Sequence, residues 1–122
     1  MTRRERIKHR RAVLGAMLAN DETARRVYAF MAGSGLRFNG VFGRGPDRTV
    51  FEAMVFMAGT GRTVDPPAVA AMLDGWAALD QVGGFSKLAD LLCCADDTYP
   101  AEFHLGRLIG AVYCPPWAEG GK

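Results

Sequence analysis

The chain has 122 residues, enough for one domain, because two would each sit near the size where a lone hydrophobic core becomes marginal. Hydrophobic residues make up 49% and charged residues 23%, a globular composition that argues against wholesale disorder, and no apolar run approaches the roughly 20 residues that span a bilayer. The net charge is only +2, but six of the fifteen basic residues, Arg3, Arg4, Arg6, Lys8, Arg10 and Arg11, crowd the first eleven positions against Glu5 alone. Any phosphate-binding role therefore belongs to that segment.

No apolar core with a cleavage-like end follows the basic start, so secretion is not expected. Cys93, Cys94 and Cys114 are an odd count, and the adjacent pair is poorly placed for a local bridge; reduced thiols in a cytoplasm fit best.

Val13, Leu14, Met17 and Leu18 recur at helical spacing and predict a first helix over about 8–19. Ala24, Val27, Tyr28 and Met31 repeat the pattern behind Asp21 and Glu22, acids that suit a helix N-terminus, and predict a second over 21–32. From Gly33 to Gly45 the chain turns glycine-rich. Asn39-Gly40 is a good hairpin pair, but Leu36–Phe38 and Val41–Phe42 are too short to make strands, so a loop pinned by aromatics is expected. Pro46 suits a first helical position, and Val50, Phe51, Met54, Val55, Met57 and Ala58 fill one arc of a helix over 46–59. Asp65 is a good N-cap for a fourth helix over 66–75. A connector over 76–84 has room for one helical turn around Leu79. Phe85, Leu88, Leu91, Leu92 and Ala95 then predict a fifth helix, and Leu105, Leu108, Ile109 and Val112 a sixth over about 101–113, stopped by Pro115-Pro116. About six short helices without a convincing sheet make a compact all-α bundle. The expected organisation is a basic arm over 1–11, a helical domain over 12–114 and a flexible tail over 115–122.

Enzymatic chemistry is largely absent from the sequence. The glycine-rich stretch carries no lysine followed by Ser or Thr and follows no predicted strand, so neither nucleotide hydrolysis nor dinucleotide binding is expected, and no cofactor is implied. His9 and His104 are far apart in the chain and neither belongs to a metal-ligand motif. Asp96, Asp97 and Glu102 read as acids at a helix start. Cys93 and Cys94 read as small core residues on the fifth helix, and Met17, Met31, Met54 and Met72 as core fillers. Phe56 falls on the polar side of the third helix, and either packs beneath the Gly33–Gly45 loop or is exposed for a partner. The basic segment has no recognition helix beside it and no aromatic platform interleaved with its charges.

The order of short motifs carries a resemblance. Val13-Leu14-Gly15-Ala16-Met17-Leu18, Phe51-Glu52-Ala53-Met54, Val64-Asp65 and Val82-Gly83-Gly84-Phe85, with Leu88 and Leu91 following, resemble in order and spacing the amino-terminal domain of DnaB-type replicative DNA helicases over about residues 12–113. The resemblance implies a helical head devoted to protein interaction, not catalysis, that packs on sister domains and helps receive primase and loading factors. Two departures are visible: no RecA-like motor with its phosphate loop is present, and only six residues follow Cys114-Pro115-Pro116, where the family continues into a helical hairpin. The expected function is a non-enzymatic replication-associated domain docking onto a replicative helicase, a primase or its own copy. The aromatics least well assigned to a core stripe, Phe38, Phe42, Phe56 and Trp117, are the expected protein interface. The alternatives are a small nucleic-acid-binding protein using the basic arm, and a separately expressed piece of a full helicase.

Overall fold

The computed structural model describes residues 2–34 and 41–112, and among them the chain forms seven helices and no strand. They are α1 (Arg3–Ala19), α2 (Asp21–Ser34), α3 (Pro46–Gly59), α4 (Pro66–Gly75), α5 (Leu79–Val82), α6 (Gly84–Leu92) and α7 (Ala101–Val112). The all-α expectation holds, with the single turn around Leu79 as the extra element. The Asn39-Gly40 turn, Phe38, Cys114, Trp117 and the tail lie outside the described residues.

Local chemistry sets most boundaries. Asp65 caps α4 by accepting from the Ala68 N–H at 2.8 Å, and Pro66 follows at the first helical position, where its missing N–H costs nothing. The Asn20 side chain accepts from the Glu22 N–H at 2.9 Å and opens α2, whose first turn carries Asp21 and Glu22. Asp21 also reaches across the fold, accepting from the Val64 N–H at 2.7 Å, and so ties the α2 start to the approach to α4. Gly83 and Gly84, at φ 108° and 72°, reverse the chain between α5 and α6 in backbone conformations that side-chain-bearing residues rarely adopt.

Three expectations need correction. The first helix begins at Arg3, not near residue 8, so residues 3–11 are its opening turns: Thr2 caps it by accepting from the Glu5 N–H at 3.1 Å, and Ile7, His9 and Arg10 pack partly against the body. Arg10 Nε donates to the Val41 carbonyl at 3.2 Å, and burial, more than neighbouring Arg6, lowers its pKa from the ordinary guanidinium value. Second, Val41 and Phe42 are helical, and Phe42 is buried, stacked on Phe51 with ring centroids 4.0 Å apart. Phe42 is therefore core, not interface. Third, α6 stops at Leu92. Phe85, Leu92 and Cys93 are exposed, and Cys94 is half-buried with its thiol directed at the Asp90 carbonyl, 3.4 Å away, so the vicinal cysteines sit on a connecting turn and not inside a buried helix.

The core is built around α1, whose Val13, Leu14, Met17 and Leu18 are buried together with Val27, Phe51, Met54, Leu73, Leu88, Leu91, Leu105 and Leu108 from the other helices. Helix α1 packs on α2, α3, α6 and α7. Gly15 lets it approach α6: a Cβ there would lie 2.3 Å from the Leu91 carbonyl oxygen and 2.7 Å from the Ala95 nitrogen, both backbone atoms. The turn after Leu92 tightens at this contact, with Cys94 N–H donating to Leu91 O at 2.9 Å.

Gly15→Ala is expected to destabilise the protein by about 2 kcal/mol or more, since rigid backbone must move to admit the methyl group. Gly106→Ala, in α7 with open space around the added methyl, should stabilise by about 0.5–1 kcal/mol through helix propensity alone. Thermal melts of the two variants test both signs.

Candidate functional site

Two surface regions combine exposed or titratable groups in a way the core does not require. The first is a groove of about 470 Å³ between α2, α3 and the end of α4, lined by Tyr28, Glu52, Val55, Phe56, Gly59, Thr60 and Trp76. Phe56 is 47% exposed and Trp76 42%, and their rings meet edge to face with centroids 6.0 Å apart. The Arg62 guanidinium stands 5.9 Å from the Phe56 ring centroid. Of the two options that the sequence left for Phe56, exposure is the one adopted, with Trp76 as its neighbour.

Backbone geometry shapes this groove. Tyr28 lies against Gly59 so closely that a Cβ there would stand 2.6 Å from its ring. Trp76 caps α4, and Ala77 beyond it takes φ 56°, a left-handed conformation unfavourable for a residue with a side chain. The Ala78 N–H donates to Leu73 O at 2.8 Å and closes the reversal. Ala77 cannot be found from sequence, because glycine is the residue that signals such a turn.

The second region joins α1 to α7. His9 and His104, 95 residues apart, bring their Nδ1 atoms to 2.8 Å, and His104 Nε2 lies 2.7 Å from Asp96 Oδ2. His104 is only 4% exposed. Sequence reasoning missed this chain of groups because nothing local links its members. With His104 Nε2–H donating to the Asp96 carboxylate, the Nδ1 pair shares one proton, an arrangement that fails when both rings are charged. Asp96 is held below the ordinary 3.8 by the Thr98 N–H first and the His104 hydrogen bond second. His9 is lowered from 6.5 by burial, then by His104, Arg107 and Lys8, with Glu5 opposing. Among the described residues no group of three or more His, Cys, Asp or Glu side chains is disposed to hold a metal ion.

Of the expected nucleic-acid contacts, Arg4, Lys8 and Arg11 line a concave pocket beside His104, whereas Arg10 is turned inward to Val41, and neither Arg3 nor Arg6 lines that pocket. No helix among the described residues is long and apolar enough to cross a membrane.

The lowered His9 pKa means that the unfolded chain takes up a proton there more readily than the folded one. Stability from this group is full above about pH 6.5 and is lost as pH falls below it; the Asp96 contribution is full above 3.8 and is lost on further acidification. The melting temperature should therefore fall between pH 7.5 and 5.5, and fall less in His9→Gln. An unchanged pH profile in that variant would remove His9 as the cause.

The chain matches the family model described as DnaB-like helicase N terminal domain over residues 3–107. No curated protein matches it. Among solved structures it is similar to the N-terminal domain of DnaB helicase from Mycobacterium tuberculosis, at 25% identity and a TM-score of 0.74, covering 94% of this chain and 79% of that one. The matched span starts at the first residue of α1, which makes the basic turns an integral part of the matched unit. With this span, and with a helical head carrying the four motifs in register, the chain belongs to the DnaB-like helicase N-terminal domain family.

Proposed function

We propose that this chain is a non-enzymatic interaction domain of DNA replication, which docks onto a replicative helicase, a primase or its own copy through the Phe56–Trp76 groove. The observation that carries the reading is the exposed aromatic pair. A tryptophan and a phenylalanine in contact at the surface make a contiguous apolar patch of the kind that marks interaction sites, and central aromatic anchors dominate the energetics of protein interfaces. The Arg62 guanidinium beside Phe56 adds a cation at the groove edge, and Glu52 an acid, so the rim is polar around an apolar centre. Family membership supports the same reading, because the domain is the non-motor part of a helicase.

Size-exclusion chromatography with light scattering, on the protein alone and mixed with a cognate replicative helicase and primase at low and moderate salt, should give a self-associated species or a stable complex. Phe56→Ala and Trp76→Ala are each expected to weaken that association about tenfold or more while moving the melting temperature by only a degree or two. A sharp loss of stability with association unchanged would make these rings structural and defeat the proposal.

A further inference from the structure

The six cations of the first eleven residues are not equivalent once they are wound into α1. Arg3, Arg6 and Arg10 fall on one side of the helix, and Arg10 is spent on the Val41 carbonyl. Arg4, Lys8 and Arg11, at i, i+4 and i+7, form a second stripe along the rim of a pocket of about 570 Å³, with Ile7 and His104 among its lining. All three are exposed, and none makes an ion pair or side-chain hydrogen bond with a described residue, whereas Arg25, Arg26, Arg48 and Lys87 are each paired with an acid. The pocket's carboxylate, Asp96, is occupied: Oδ2 holds His104 and Oδ1 accepts from the Thr98 N–H at 2.8 Å. Within this pocket three unpaired cations therefore face one carboxylate that is already satisfied; Arg11 also borders a smaller cavity that it shares with Lys87 and Asp90.

An exposed aromatic pair packs on His104, one of the residues that line this pocket. Tyr99 and Phe103 stack with centroids 4.4 Å apart, although they are 50% and 40% exposed. Their ring centroids lie 6.4 and 5.3 Å from that of His104, which lines the pocket. Folding thus supplies the aromatic platform that the sequence does not show next to its charges: α1 brings the cations, and the approach to α7 brings the rings.

We infer that the Arg4–Lys8–Arg11 pocket and the adjoining Tyr99–Phe103 pair form a binding site for single-stranded nucleic acid. The cations follow one another at about 6 and 4.5 Å along the helix axis, so consecutive phosphates of an extended strand can meet them in turn. Exposed ring faces take unstacked bases, which a duplex does not offer. Arg, Lys and aromatic contacts together select a phosphodiester strand over inorganic phosphate, which has nothing to stack. This site shares no residue with the Phe56–Trp76 groove and does not depend on it.

Fluorescence anisotropy of the full chain with a labelled oligothymidylate tests the inference. Three neutralised phosphates predict a slope of log affinity against log salt of about −2, or a loss of roughly 15- to 20-fold between 50 and 200 mM salt. The combined variant Arg4→Ala, Lys8→Ala, Arg11→Ala should bind at least about tenfold more weakly, with a flattened slope. Tyr99→Ala with Phe103→Ala should weaken binding about fivefold or more with the slope retained, and Phe103→Trp should restore it with quenching of indole fluorescence by the oligonucleotide. Arg25→Ala with Arg44→Ala should leave both affinity and slope unchanged. The site is overturned by absence of binding at 50 mM salt, or by equal loss in the Arg25 and Arg44 variant, which would mean diffuse charge. It is equally overturned if the Tyr99 and Phe103 variant keeps its affinity and instead changes the mass measured by light scattering, since the pair would then be a contact between copies.

Discussion

The close approach of α1 to α6 at Gly15 is the constraint on which the rest of the molecule depends. Two helices separated by one missing side chain bring backbone to within van der Waals reach, and the turn that follows α6 is tightened against them. From that contact α1 runs outward along α7, which is why its N-terminal turns meet His104 and the Asp96 loop.

A division of labour follows along the same helix. The C-terminal half of α1 is apolar on its inward faces and enters the core; its N-terminal half is charged and stands partly clear, with Ile7, His9 and Arg10 as its attachments. The far side of the bundle has a different character. There α3 and the end of α4 leave Phe56 and Trp76 at the surface, and the left-handed Ala77 holds the reversal from which Trp76 departs. Strained backbone beside exposed aromatics is a combination that stability alone does not favour. The proposed docking groove and the proposed nucleic-acid pocket thus lie on different elements, and an interaction domain with two separate faces can hold two partners at once.

The helical segments were readable because the local signals are strong: apolar residues at three- and four-residue intervals, Asp65 before Pro66, Pro46 after a glycine, Gly83-Gly84 between two short runs. The four short motifs identified the family for the same reason, since each lies on such a segment. The early start of α1 was also written locally, in the Thr2-x-x-Glu5 spacing of a helix cap, but charge outweighed apolar periodicity there and hid it. Phe42 and Cys93 depart from the sequence expectation in opposite directions, the first buried and the second exposed. An aromatic among glycines looks free for a partner until Phe51 stacks on it, and a cysteine after two leucines looks buried until the helix ends at Leu92, three residues short of Ala95.

Helix content, fold class, family and the concentration of positive charge near the start are properties of neighbouring residues, and short-range capping, periodicity and composition are sufficient to set them. Which side chains meet is not. His9 finds His104 across 95 residues, Tyr28 finds Gly59, Phe56 finds Trp76, and three of six cations are selected to rim a pocket beside two exposed rings. Those juxtapositions arise from helix rotation and crossing, set by where small residues let backbones approach and large ones fill the core, and no window along the chain contains both members of any such pair.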